Sequence, residues 1–281
     1  MVEDMNKPTV AILGLGIIGE IWARNLIDSG FPVRGWNRSP KPLPYSTPDI
    51  HAAIKDATHI IVVVADPSAV ASVLEQIKSQ LHPGQLVIQS STISEAWTKR
   101  FAALVESTGA SFLEAPFTGS KPAAEQRKTV FYVGGPPEIV ELARPVLEPL
   151  SLKVVPIGDI GSASALKLAL NLNIAQVAQA LNEAITFTRR AGLSDDTFFE
   201  ALSVNAGRSG LSDLKEPKLK SSDWSPQFSI KHMGKDLRLA LESIPAGTLP
   251  QLELLQKTYE AGLEKGWGNE DFCSLIRLLK E

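Results

Sequence analysis

Lys167 and Asn171 stand four residues apart in the segment GDIGSASALKLALN, residues 158–171. At helical spacing the two side chains project from one face. An ammonium beside an oxygen that is gaining negative charge supplies a proton and a stabilising charge together. That is what a carbonyl needs once a hydride has reached its carbon. A lysine in so apolar a helix is costly to bury without a partner, which points to a partly wet cleft. A lysine snorkelling to solvent from a helix start is the other reading. The second candidate is APFTGS, residues 115–120, at the C-terminal end of an expected strand. The hydroxyls of Thr118 and Ser120, with the neighbouring backbone N–H groups, could hold a carboxylate, or the segment could be a tight turn alone. The third is Phe228 with the run Lys231 to Asp236, in which Lys235 and Asp236 either act in the site or form a solvated face.

No other chemistry is spelled out. His51, His59, His82 and His232 are scattered without metal-ligand spacing, so no metal is expected. No Ser–His or Cys–His signature and no nucleophile elbow is present. The chemistry must then come from a bound group, and TVAILGLGIIGEIWARNLIDSG, residues 9–30, says which. Val10 to Leu13 is an apolar run of strand character. Gly14-Leu15-Gly16-Ile17-Ile18-Gly19 breaks it, and apolar residues then recur at spacings of three and four. Strand, glycine turn and helix in that order is the setting in which G-x-G-x-x-G binds a dinucleotide. Gly14 permits the turn, Gly16 lets a pyrophosphate approach, and Gly19 lets helix and strand pack closely, with free N–H groups facing the phosphates.

A second strand, Pro32 to Trp36, ends in Asn37-Arg38-Ser39. An acid there would bind the ribose 2′-hydroxyl of NAD; Arg38 with Asn37 and Ser39 instead offers donors to a 2′-phosphate, so the expected cofactor is NADP(H). PKPLPYSTP, residues 40–48, holds four prolines and cannot be helix interior, so an extended loop is expected to replace a crossover. Further strands are expected at Ile60 to Ala65, Leu86 to Gln89, Phe112 to Ala115, Val130 to Val133 and Lys153 to Pro156, with helices between them, which implies a largely parallel sheet covered on both faces.

From Ser162 to Ala191 there is no proline, internal glycine or strand-like alternation, and such a helix would run about 45 Å. Leu166, Leu170, Ile174, Val177, Leu181, Ile185 and Phe187 spread round it, which implies burial on several sides. Helices are expected after it at Asp195 to Val204, Ile230 to Ser243, Leu252 to Leu263 and Glu270 to Leu279. The fold class is therefore an α/β Rossmann-type N-terminal domain with a parallel-rich sheet (residues 1–160), a long interdomain helix, and an all-α C-terminal domain (residues 161–281).

Of the 281 residues 44% are hydrophobic and 21% charged, as in ordinary globular proteins. A net charge of −3 gives no reason to expect nucleic acid or an anionic membrane as partner. The lone Cys273 cannot form an internal disulfide, which fits a reducing compartment. MVEDMNKP carries two acids ahead of the first strand and does not read as a signal peptide. No apolar run approaches the roughly 18 residues of a membrane span. A cytoplasmic location is expected.

These pieces together resemble the β-hydroxyacid dehydrogenase family, which includes 3-hydroxyisobutyrate dehydrogenases, tartronate semialdehyde reductases and glyoxylate/succinic semialdehyde reductases. GLGIIG at 14–19 is similar to its dinucleotide motif, APFTGS at 115–120 to its substrate motif, GDIGSASALKLALN at 158–171 to its catalytic helix, and KDLRLA at 235–240 to a C-terminal cofactor motif. The resemblance implies Lys167 as general acid, with Asn171 orienting the substrate. It implies Thr118, Gly119 and Ser120 at the substrate carboxylate and Thr92 near both nicotinamide and substrate. Lys235 would contact the cofactor, joining residues 14–19, Asn37, Arg38, Ser39, Val64 and Ala65. Phe228 and Asp236 match positions lining the site of the glyoxylate reductase branch, which TGSKPAAE at 118–125 and FSIKHMGKDLRLA at 228–240 also echo. A homodimer or homotetramer is implied as well.

Three departures stand out: Thr118 where serine is usual, Ile18 where methionine is usual, and Phe117 in place of a smaller residue, which could reshape the pocket. The expected activity is NADPH-dependent reduction of small aldehyde or keto acids, glyoxylate and succinic semialdehyde first. The alternatives are a 3-hydroxyisobutyrate or tartronate semialdehyde dehydrogenase, an imine reductase, or an NADP(H)-binding scaffold without catalysis. Lys167 speaks against the last two.

Overall fold

The computed structural model describes residues 7–279. The stretch MVEDMN, on which the reading of the N-terminus as no signal peptide rests, lies outside them. Two compact units are distinguished, the first ending at Lys167 and the second beginning at Leu168.

The first unit is built on one sheet. Its strands are β1 (Val10–Leu13), β2 (Val33–Trp36), β3 (Ser46–Thr47), β4 (His59–Val62), β5 (Leu86–Gln89), β6 (Ser111–Glu114), β7 (Phe117–Thr118), β8 (Thr129–Gly134) and β9 (Ser151–Gly158). The order is β3-β2-β1-β4-β5-β6-β8-β7, with β9 beside β8. All pairings from β3 to β6 are parallel; β8 runs antiparallel to β6 and β7 and parallel to β9. Because side chains alternate along a strand, β1 sends Val10 and Ile12 into one core with Trp22, Leu26 and Val140. Ala11 and Leu13 go into the other, with Val70, Leu74 and Phe101. Helices α1 (Ile17–Asp28), α2 (Ile50–Ile54), α3 (Pro67–Ile77), α4 (Glu95–Glu106), α5 (Lys121–Glu125) and α6 (Pro137–Leu147) connect the strands.

Chain order reverses between β1 and β4, so the crevice for a ligand opens at their carboxyl ends. The proline-rich segment 40–48 is not the plain loop expected. Ser46 and Thr47 pair with Gly35 and Trp36 as a two-residue strand, and α2 follows at once. Proline cannot donate to a ladder, and Ser46 and Thr47, between Pro44 and Pro48, are where the chain can still pair. The strand expected at Ile60 to Ala65 ends at Val62, and residues 63–65 belong to the loop before α3.

The second unit is helical among the described residues apart from one isolated bridge, Ser229 to Asp271. Helix α7 (Ser162–Arg190) begins in the first unit and continues into it. Then follow α8 (Asp195–Ser203), α9 (Gly210–Ser221), α10 (Ile230–Glu242) and α11 (Pro250–Glu264). Buried positions on α7 are Ala163, Ser164, Lys167, Leu168, Asn171, Ala175, Ala178, Leu181, Asn182, Ile185 and Thr186, a single stripe and not the several sides expected; Leu166, Leu170, Ile174 and Val177 are half-buried. Phe187 is 75% exposed, which corrects the expectation that it lies in the buried set. The α-helix expected at Glu270 to Leu279 is a 3₁₀ segment, Phe272–Leu278, because Asp271 is held extended in the bridge and its carboxylate accepts from the Cys273 N–H. Helix α9 is not among the helices expected from the sequence; Pro217 lies inside it, and a Ser209–Ser212 capping box starts it.

Candidate active site

In the first unit, Gly14 has φ +115°, a region that disfavours every other residue, and a Cβ there would stand 2.2 Å from the Val63 carbonyl oxygen. A Cβ on Gly19 would stand 2.0 Å from the Gly14 oxygen, so α1 sits hard against the turn. Around a Cβ on Gly16 nothing lies within 4 Å. The start of α1 has no side-chain cap, so no capping side chain occupies the N–H groups of its first turn. Leu15 is fully buried and Gly16 has no side chain, so at these two positions the motif presents backbone to a ligand, while Ile17 is 67% exposed. These features fit a dinucleotide pyrophosphate: close backbone approach, several N–H donors and the positive end of a helix dipole.

At the end of β2, Asn37 donates to the Ser39 carbonyl oxygen at 2.8 Å, which closes the turn. Arg38 is exposed and has no hydrogen-bond or ion partner among the described residues. The next cation, Lys41, is held by Glu20 of α1 at 2.7 Å. That hydrogen bond leads the causes that hold the Glu20 carboxyl below its usual range. The loop is thus pinned while Arg38 stays available.

The loop after β4 is tied to the loop after β5, with the Val64 N–H donating to Ser91 Oγ at 2.8 Å. Buried Gln89 accepts from the Ser91 N–H and donates to the Ser91 oxygen, which shapes the approach to half-buried Thr92. Beyond β6, Thr118 lies in β7 opposite Val130, Gly119 takes φ +112°, and the Ser120 hydroxyl caps no backbone N–H of α5. Phe117 packs edge-on against Trp22 at 4.8 Å and near Phe131 at 6.3 Å. The ring, half-buried, packs on the core of the first unit.

Lys167 is 7% exposed, within the first two turns of α7. It does not snorkel. The residue that holds this turn in place, Glu114, was missed by sequence reasoning. It is the last residue of β6, buried, and accepts hydrogen bonds from Gly161, Ala163 and Ser164 at the start of α7. Burial raises its carboxyl above the usual range and those donors oppose the rise. An acid closing the apolar run SFLE was the only signal.

In the second unit, Asn171 Nδ2 donates to Asp236 Oδ2 at 2.6 Å, and Lys235 Nζ lies 2.9 Å from Asp236 Oδ1. Asp236 is 2% exposed, so this is not the solvated charged face that was the alternative. Half-buried Phe228 stacks on His232 and meets Phe272 edge-on. Buried Asp271 accepts from the N–H groups of Gln227 and Phe228 and from Lys215 Nζ. No cluster of three or more metal-ligating side chains occurs among the described residues, and none of their helices is long and apolar enough to cross a membrane.

Residues 9–158 match the family model for the NAD binding domain of 6-phosphogluconate dehydrogenase. Residues 161–279 match that for the NAD-binding region of NADP-dependent 3-hydroxyisobutyrate dehydrogenase. Glyoxylate/succinic semialdehyde reductase 2 of Arabidopsis thaliana is 29% identical over 99% of this chain and 81% of its own. A probable 3-hydroxyisobutyrate dehydrogenase of Mycobacterium bovis is 30% identical over 97% and 98%. The structure of 3-hydroxyisobutyrate dehydrogenase from Mycobacterium tuberculosis with L-serine superposes with a TM-score of 0.88 at 28% identity, covering 98% of this chain and all of that one. A glycine cradle that fits a dinucleotide, a lysine on the helix that follows the sheet, and family models spanning both halves agree: the chain belongs to the β-hydroxyacid dehydrogenases and is an NAD(P)-dependent oxidoreductase.

Proposed function

We propose that the chain reduces small aldehyde or keto acids, glyoxylate and succinic semialdehyde first, with NADPH, and that Lys167 is the general acid. The observation that carries this is the place of Lys167: a buried lysine in the opening turns of α7, whose start is hydrogen-bonded to the strand end from which the Thr118 loop departs. The nicotinamide, when bound, supplies the hydride. Lys167 protonates the oxygen that gains charge as the carbonyl is reduced. The hydroxyls of Thr118 and Ser120, with the backbone at Gly119, bind the substrate carboxylate. Asn171, kept in one orientation by Asp236, directs the substrate oxygen. Arg38 takes the 2′-phosphate as a charge-assisted partner, with Asn37 and Ser39 shaping the turn.

A 3-hydroxyisobutyrate dehydrogenase is the second reading, supported by the likeness to the mycobacterial structure. NADPH oxidation followed at 340 nm with glyoxylate and succinic semialdehyde, against NADP⁺ reduction with 3-hydroxyisobutyrate, separates the two. The first reading expects kcat/KM to be higher for the aldehydes. Lys167→Ala is expected to bind NADPH normally and lose 10²-fold or more of turnover, roughly the contribution of a positioned acid. Unchanged turnover would remove Lys167 from the chemistry.

A further inference from the structure

Glu114 ends β6 one residue before the Ala115–Ser120 loop, and none of it is exposed. Its Oε1 accepts the N–H of Gly161 at 2.6 Å and of Ala163 at 3.0 Å. Its Oε2 accepts the N–H of Ser164 at 3.0 Å and the Ser164 hydroxyl at 2.5 Å. Ser164 Oγ in turn lies 2.7 Å from Thr98 Oγ1 on α4. Room for the carboxylate is built in, since a Cβ on Gly134, its neighbour across the sheet, would stand 2.2 Å from Oε1.

The three N–H groups belong to a helix start, where no intrahelical acceptor exists. A capping serine satisfies one such donor; this side chain satisfies three and adds a hydroxyl. Every partner is a donor, which suits a carboxylate, an acceptor on both oxygens. The acceptor is fixed to the sheet at a point 50 residues away in sequence from Ser164, so it does more than end a helix neatly. It sets where the first turn of α7 stands against the end of β6. Lys167 follows Ser164 by three residues, on the next turn of the same helix, and the Thr118 loop follows Glu114 by one.

We propose that Glu114 is a positioning residue for proton transfer: by clamping the first turn of α7 to the end of β6, it sets Lys167 in register with the loop that holds the substrate carboxylate. The proposal rests on the reading of Lys167 as general acid. A misplacement of about 1 Å costs roughly a hundredfold in rate when groups must meet in a near-attack geometry. Glu114→Gln keeps the shape but turns one acceptor into a donor facing the Ser164 N–H. Ser164→Ala removes one of the four bonds with little risk to folding.

Five proteins decide the matter: wild type, Glu114→Gln, Lys167→Ala and the double variant, assayed with NADPH and glyoxylate, or succinic semialdehyde if it is turned over faster, and Ser164→Ala for hydrogen exchange. Glu114→Gln is expected to lose about tenfold to a hundredfold in kcat, with the Kd for NADPH within about twofold. The deuterium isotope effect from NADPH labelled at C4 should rise, because a misplaced acid slows the chemical step and a smaller folded fraction does not. In the Lys167→Ala background the same change should cost nothing further, as groups acting through one another are not additive. Hydrogen exchange should quicken in residues 161–167 in Glu114→Gln, and to a lesser degree in Ser164→Ala, with or without turnover.

Normal turnover in Lys167→Ala would overturn the acid reading and this proposal together. Loss of turnover there, with kcat and isotope effect unchanged in Glu114→Gln or with additive losses in the double variant, would overturn the proposal alone. Unaltered exchange at 161–167 in both clamp variants would do the same, even if Glu114→Gln folds too poorly to assay.

Discussion

Arg38 and the buried pair Lys215–Asp271 represent two uses of charge. Arg38 is exposed and without a protein partner among the described residues, ready for an anion. Removing a charged hydrogen-bonding partner costs about 1.5–3 kcal/mol. Arg38→Ala should therefore raise KM for NADPH by roughly tenfold to a hundredfold and leave that for NADH nearly unchanged; equal losses for both would remove Arg38 from phosphate recognition. Lys215 and Asp271 are almost wholly buried at 2.8 Å, with Lys215 also 4.4 Å from the Phe272 ring centroid. Burial alone would raise the Asp271 carboxyl, but Lys215 and the donors around it outweigh that and hold it below its ordinary value. A depressed carboxyl contributes stability that is complete above its unfolded value, about 4, and is lost as pH falls through the lower folded value. Lys215→Met strands a buried charge and should cost about 3–5 kcal/mol near neutral pH. Acid unfolding curves should show this share of the pH dependence gone, and a melting point equal to wild type would contradict the account.

Among the elements, the turn from β1 to α1 separates folding from binding within six residues. Gly19→Ala drives a Cβ into the Gly14 oxygen, so the helix must move away from the strand. Overpacking of that kind costs about 1–3 kcal/mol. Gly16→Ala meets no atom within 4 Å and should change stability by about 0.5 kcal/mol or less, while a methyl group stands where the pyrophosphate would approach. Thermal melts read beside NADPH titrations should show stability lost in the first variant and affinity lost in the second. Identical affinity in Gly16→Ala would mean that the cofactor does not lie across this turn. Helix α9 shows the opposite balance, for Pro217 removes an internal hydrogen bond, yet the helix forms because Lys215, Lys218 and Leu219 are buried on one side of it.

At the scale of the whole molecule, a ligand that binds the folded chain stabilises it by mass action, by about 2.7 kcal/mol at one hundred times Kd. NADPH should raise the melting temperature in proportion to the logarithm of its concentration, and NADH should do so only at much higher concentration. Absence of any shift with either nucleotide at millimolar concentration would contradict the cofactor assignment. Sequence by itself determined what depends on neighbours along the chain. The strand–glycine–helix unit, the run of α7 and most strand positions follow from local periodicity, and the four motifs carried the family. Only the tertiary structure decided which polar groups find each other. Asn171 meets Asp236 across 65 positions, Lys215 meets Asp271 across 56, and Glu114 meets the start of α7 across 47 to 50. Each of these side chains is costly to bury alone and inexpensive to bury with its partner, and no local pattern names a partner that far away. The same reason holds for Ser46 and Thr47, which are a strand only because β2 lies beside them, and for Phe117, whose ring was placed by Trp22 and Phe131.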